Sequence, residues 1–409
     1  MPAGVDATAD APAPMKPRLF AFDSNSWFSN WMNRQHILSR LGARGWPVVY
    51  SSGPMSVSEV RALGLRQCPW RWRTRVDHHV TVPLASGLLA TSTSWSRWNA
   101  LAYGIHAHRL RAVLPASRPG HDIAMVFNPD YFPQLASLKP RHVVFHVRDA
   151  YRELPGWNSR NEAHFLALQQ RADLITLSSQ KLLDELQTDV QFKARVLLNG
   201  ADVDNVALCM NDPCPADLAA IGHPRLGYVG VISQKVDLEL IGALARRQTT
   251  WQWVFVGPIP GGDTERMGGS HAAYAAWTHL LALPNVHWLG AKSHTEVGRY
   301  MVHMDVNTMP YVVDQRAGGW ARFAYPLKLH EYLAAGLPVV SADMVDVQRH
   351  SDVLEFAEGI DGWEAALARA VAGDTPGNAA ARRAVAKLNS WDSRVDDLES
   401  WLLTLAERP

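Results

Sequence analysis

From Arg18 onward short apolar runs alternate with amphipathic stretches: RLFAF, then WMNRQHILSRLGARG, then WPVVYSS. A short continuous apolar run suits a strand covered on both faces, and a 3.6-residue period ended by Gly45 suits a helix, so the chain opens as the strand–helix–strand unit of a parallel sheet. The same pattern predicts strands at 122–127, 142–147, 173–179 and 194–199, with helical period over about 155–171 and again after Ser178-Ser179. There it stops. Residues 207–224, ALCMNDPCPADLAAIGHP, are rich in Pro and Ala without a strong period and read as a linker. A second series follows, with strands at 225–232, 251–257, 286–290, 306–310 and 338–342, and a last helix from Trp391 begun by Asp392 or Ser393. The expected architecture is α/β: a doubly wound, Rossmann-like N-terminal domain (17–206), the linker (207–224), a second such domain (225–385), and a helix (386–409) returning to the first. In such folds ligands bind at the carboxyl ends of the strands, here between the two domains.

Composition narrows the function classes. Forty Lys and Arg against 39 Asp and Glu leave a formal charge of +1, so no global field recruits nucleic acid and any basic surface is local. The cysteines, Cys68, Cys209 and Cys214, have neither disulfide-framework nor zinc-type spacing, which points to a reducing compartment, the cytoplasm, and to no structural metal. Residues 1–16 carry Asp6 and Asp10 and no apolar run, and are expected to be a disordered tail rather than a signal or a membrane span.

The most informative segment is Tyr325-Pro326-Leu327-Lys328-Leu329-His330-Glu331-Tyr332-Leu333-Ala334-Ala335-Gly336-Leu337-Pro338-Val339-Val340. Pro326 suits a first helical turn, Gly336 a stop, and Pro338 blocks continuation, so this is a short helix feeding a buried strand. Its amino terminus plus the Lys328 ammonium would make a diphosphate site, and Glu331, one turn on, could accept both hydroxyls of a ribose. The plainer alternative is a surface Lys–Glu pair three residues apart.

This segment resembles the C-domain helix of GT-B glycosyltransferases close to family 4, with its recurring P-x-K-x-x-E-Y-x-A-x-G-x-P-V-V. The resemblance implies a GT-B fold, donor phosphate on Lys328 and nucleotide ribose on Glu331. A family glutamate eight positions before Glu331 is here Phe323. Arg225-Leu-Gly-Tyr-Val-Gly230-Val-Ile-Ser233-Gln234-Lys235 is similar to the strand and glycine loop opening the family's C-terminal domain. Gly230 would let backbone approach the diphosphate, and Val231 stands where many members have Arg, leaving Lys328, Lys235 or Arg316 to meet the charge. Val196-Leu-Leu-Asn199-Gly200-Ala-Asp202-Val-Asp204 is similar to the family's N-G-V-D turn, so Asp202 and Asp204 read as turn or cap residues and not as a D-x-D metal site. The resemblance implies transfer without a metal or other cofactor.

The acceptor side is more individual. Trp27, Asn33, Arg34 and His36 follow the first strand and His146 ends another, giving aromatic faces and polar groups suited to a sugar ring, with core packing the alternative for the tryptophans. Asp149 is the candidate general base if transfer inverts the anomeric centre, with a helix cap its other reading; if transfer retains configuration, as the family resemblance implies, the leaving phosphate takes the proton and no base is required. Arg66, Arg71, Arg73 and Arg75 surround Trp70 and Trp72, a pattern suiting either a solvated face or the anionic inner-membrane surface, with a lipid-linked acceptor as partner. The expected function is nucleotide-sugar-dependent glycosyl transfer in bacterial polysaccharide synthesis. The alternatives are a GT-B sugar-nucleotide 2-epimerase and a non-catalytic carbohydrate- or partner-binding module.

Overall fold

The computed structural model describes residues 16–92, 95–116, 121–154, 156–259, 270–314 and 319–408. The expected tail lies outside them except for Lys16, which is held by Glu399 at 2.5 Å. In the N-terminal half β1 (Leu19–Phe22), β2 (Val48–Ser51), β3 (Thr74–Asp77), β4 (Val80–Pro83), β5 (Ile123–Val126), β6 (His142–Val147), β7 (Leu174–Leu177) and β8 (Ala194–Val196) form one sheet, in the order β3-β4-β2-β1-β5-β6-β7-β8. Its pairs are parallel except β3 with β4. Every residue of β1, β5 and β6 is buried, which is why these strands read as continuous apolar runs. The sequence reading missed both β3 and β4: β3 is an edge strand with no buried face, and β4, although mostly buried, is only four residues long and ends on Pro83.

In the C-terminal half β9 (Arg225–Val229), β10 (Gln252–Val256), β11 (Val286–Trp288), β12 (Val306–Met309), β13 (Val339–Ala342) and β14 (Glu355–Ala357) form a parallel sheet in the order β11-β10-β9-β12-β13-β14. The chain winds outward from β9 to β11 and returns to the other side of β9 with β12. The order therefore reverses between β9 and β12, the topological switch point at which such sheets open a crevice.

The segment expected as a linker is folded. Helices Val203–Cys209 and Ala216–Ala219 occupy it in part, and Val206, Leu218 and Ile221 pack into the core of the C-terminal domain. Its lack of period reflects two short helices, each with one or two buried positions. The chain crosses between domains twice, side by side: Ala201 N–H donates to Asn389 O (3.1 Å) and Trp391 N–H to Ala201 O (3.0 Å). Gly200 is required there, since a Cβ would stand 2.8–2.9 Å from the backbone of residues 389–391.

After the second crossing, helix Trp391–Ala406 lies on the N-terminal domain, with Trp391, Val395, Leu398, Leu402 and Leu405 buried among Leu19, Trp46, Val48 and Ile123. At about 1.5–3 kcal/mol per large apolar side chain, this helix is part of that core and not an appendage. Phe323 also reaches across, packing partly buried on the N-terminal core. Asp346 Oδ2 accepts from the backbone N–H groups of Gln180 (2.7 Å) and Lys181 (3.4 Å) in the other domain.

Candidate functional site

The crevice between β9 and β12 is floored by glycine. Gly230 leaves β9 at φ 147° and Gly257 leaves β10 at φ 149°, a backbone region L side chains rarely adopt. A Cβ on Gly257 would lie 2.0 Å from Gly230 O, and one on Gly230 would lie 2.6 Å from Lys328 Nζ. Lys328 opens the helix Lys328–Ala335, whose Tyr332 Oη accepts from Val229 N–H (2.7 Å) and donates to Val229 O (3.2 Å), fixing the helix to the end of β9.

Lys328 is buried, its ammonium 3.5 Å from the centroid of the Tyr228 ring and 5.2 Å from that of Tyr311. Burial pulls its pKa well below the ordinary lysine value, with Glu331 opposing. Glu331 is half-buried, and burial pushes its pKa up to about 7, against the pull of His294 and Lys328 and with the help of Asp202. Among the described residues neither Lys328 nor Glu331 makes a salt bridge. The surface-pair reading is therefore set aside: Lys328 is buried and has no salt bridge to Glu331. Lys235 sits over the Trp320 ring at 4.3 Å, and Tyr311 links Trp320 (5.2 Å) to Tyr228 (6.2 Å), so an aromatic ladder separates the two lysines. Arg316 lies outside the described residues.

A second cluster joins the domains. His36, from helix Asn33–Ala43, Asp202, from the first crossing, and His294, first residue of helix His294–Met301, bring ligand-type atoms within 4.8 Å of one another. His294 stacks on Trp31 (4.7 Å, 2°) and His36 on Trp391 (4.9 Å, 9°). Burial first, then His294 and Arg40, holds His36 well below the usual imidazole range, Asp202 opposing. Asp202 occupies the cap position of its helix, but its side chain does not cap. It takes Arg40 at 3.2 Å and lies 3.6 Å from His294 Nε2, and although burial opposes them these partners hold its carboxyl down to about 2.

On the N-terminal side a cleft of about 490 Å³ opens at the carboxyl ends of the strands, lined among others by Ser24, Trp27, Tyr50, Glu59, Tyr131 and Gln134. Trp27 only lines it: its ring is buried in the core and its Nε1–H donates to Asp77 (2.8 Å). Arg34, expected on the acceptor, is instead buried, 3.5 Å from Asp23, which also takes Arg148 at 3.2 Å. The buried Asp23 carboxylate needs these guanidinium groups, so Arg34 is structural. His146 is buried too, between Asn33 Nδ2 (3.1 Å) and Thr176 Oγ1 (2.8 Å), and burial followed by Arg148 lowers its pKa to about 3. It is a neutral core imidazole whose partner Asn33 keeps a buried, unpartnered Oδ1. Asp149 is half-buried on the turn after β6 with no salt bridge among the described residues, and it caps no helix, the cap position of the next short turn being Ala150, which has no capping side chain.

Beside this cleft, residues 64–101 expose Leu65, Trp70, Leu88, Trp95, Trp98 and Leu101. The bonds Gly87 N–H to Pro69 O, Leu84 N–H to Arg73 O and Trp98 Nε1–H to Ala90 O tie these segments into one surface. Between 60 and 116 the chain has eight arginines and a single acidic residue, Asp77. Among the described residues no helix is long and apolar enough to cross a membrane.

Sequence reasoning missed the Tyr228–Tyr311–Trp320 ladder and His294. Nothing local marks them, since they meet only through the sheet order and the domain interface.

Comparison with known proteins gives these features kin. Residues 223–373 match the family of glycosyl transferases group 1. A curated protein of Bacillus subtilis assigned to teichuronic acid biosynthesis, the glycosyltransferase TuaH, is 29% identical over 274 residues. The match covers 62% of this chain and 65% of that relative, just under two thirds of its length. Among solved structures, the Anabaena protein HepE in complex with UDP has a TM-score of 0.66 at 14% identity, over 95% of this chain and 100% of HepE. It has also been solved with UDP-glucose, at a TM-score of 0.64. Sucrose-phosphate synthase from Thermosynechococcus elongatus has a TM-score of 0.68 at 12% identity, over 95% and 99% of the two chains. At these identities the structures share the fold, which is the expected GT-B arrangement.

Proposed function

We propose that this GT-B chain, similar over residues 223–373 to the glycosyl transferases group 1, moves a sugar from a nucleoside diphosphate sugar to a lipid-linked saccharide in bacterial polysaccharide synthesis. The observation that carries this reading is Lys328 buried against the bare backbone of Gly230 at the switch point. A diphosphate placed there would meet an ammonium, a helix amino terminus and no Cβ. Its charge would restore the proton that burial disfavours on Lys328. Glu331, on the same helix, takes the ribose hydroxyls, and Lys235 is the reserve cation at the mouth.

As the glycosidic bond to the diphosphate breaks, Lys328 and the helix terminus hold the departing charge, so the step asks for no bound metal. The acceptor lies in the N-terminal cleft; as its hydroxyl oxygen bonds the anomeric carbon, the proton goes to Asp149 if transfer inverts that centre and to the leaving diphosphate if transfer retains it. TuaH supports a polysaccharide setting, and HepE supports UDP as the first nucleotide to try. The exposed Trp and Arg surface beside the cleft supports delivery of the acceptor from an anionic membrane.

Titration calorimetry with UDP tests the donor site. Lys328→Met keeps the volume and removes the charge, and should weaken UDP by on the order of 1.5–3 kcal/mol. In the inverting case Asp149→Asn should abolish turnover and leave UDP binding intact. UDP affinity unchanged in Lys328→Met would refute the phosphate role, and full activity in Asp149→Asn would remove the base.

A further inference from the structure

We propose that His36, Asp202 and His294 bind one zinc-type transition-metal ion that ties the two domains together. Two imidazoles and a carboxylate are a donor set of the kind zinc takes, and three protein ligands leave one position open. Their ligand atoms already lie within 4.8 Å of one another, with His294 Nε2 and Asp202 Oδ2 at 3.6 Å. Around a tetrahedral zinc such atoms stand about 3.3 Å apart, a contraction within reach of side-chain rotation.

The surroundings orient the set. Arg40 takes Asp202 Oδ1 at 3.2 Å and leaves Oδ2 for the ion, while its contact with His36 Nδ1 (3.3 Å) is one that the ion must displace. Trp31 and Trp391 stack on His294 and His36 and hold the planes of both rings. Outer partners of this kind commonly fix metal ligands. The three ligands come from the N-terminal domain, the first crossing and the C-terminal domain, so the ion would fasten the cleft at one end. This role is separate from bond cleavage, and it gives Asp202 a task that its turn position did not suggest.

The full chain is stripped with EDTA, dialysed against zinc and analysed for bound metal, and cobalt is added in parallel for its visible tetrahedral spectrum. The expected result is one zinc per chain, a cobalt spectrum that zinc displaces, and more than about tenfold weaker zinc binding in both His294→Ala and Asp202→Asn. No stoichiometric zinc on the wild-type chain overturns the proposal whatever the variants do, and so does undiminished binding in folded variants. UDP calorimetry on the same samples in EDTA reports the donor site independently, so failure of one reading is distinguishable from failure of the other.

Discussion

Glu331 is a carboxyl that burial pushes up to about 7 while it stands where a ribose is expected. Two ribose hydroxyls donate to a carboxylate, so binding must first remove the proton wherever the carboxyl is protonated. The Glu331 share of UDP affinity, read as wild type against Glu331→Gln, should therefore be level above the pKa and fall about tenfold per pH unit below it. Glu331→Gln should bind UDP more weakly at high pH and lose this slope; calorimetry between about pH 5.5 and 8 reads both. The same pH dependence in wild type and in Glu331→Gln would mean that the group does not take the ribose as a carboxylate. The strand end at Gly230 and the helix turn carrying Lys328 and Glu331 were legible in the sequence because local spacing sets each, whereas the meeting of Gly230 with Lys328 comes from the sheet order. His36, Asp202 and His294 were not read as a group, since only the meeting of the two domains joins them. Arg34 and His146 were misread for a related reason: a polar side chain after a strand can turn toward the cleft or into the core, and here the buried Asp23 and Thr176 draw them inward.

Elements with a continuous apolar run or a clear period were found, and those that deviate were not. β3, β4 and the short β14 escaped, and the two helices of the supposed linker each offer too few buried positions to show a period. The helix Trp391–Ala406 was visible as a helix, and what docks it is polar as well as apolar. Glu399 takes Lys16 (2.5 Å), Arg44 (3.1 Å) and the Trp46 indole N–H (2.7 Å). Burial opposes ionisation there, but these partners hold its carboxyl down to about 2. A depressed folded pKa adds stability that is full above the unfolded value, near 4.5, and is lost as pH falls toward 2. Glu399→Gln should cost about 1–3 kcal/mol near neutrality and flatten the acid limb of the stability curve, as chemical denaturation at several pH values would show. Equal stability of variant and wild type at pH 7 would make the network incidental.

At the scale of the whole molecule the near-zero net charge hides a polarised surface. The arginines and exposed tryptophans of residues 64–101 lie beside the N-terminal cleft, whereas the donor crevice belongs to the other domain. The chain should co-sediment with phosphatidylglycerol vesicles, be released by salt, and ignore phosphatidylcholine. The pair Trp95→Ser and Arg97→Glu should lose this binding and keep UDP affinity; equal partition into neutral vesicles would speak against the charged face. The paired crossings at Gly200 and Asn389–Trp391 also bear on biogenesis. The N-terminal domain is synthesised first, yet five apolar side chains of its core arrive only with helix Trp391–Ala406. Through translation of the entire second domain the first must wait with an open greasy groove, a natural client for a chaperone, and it closes only when that last helix returns across the pivot.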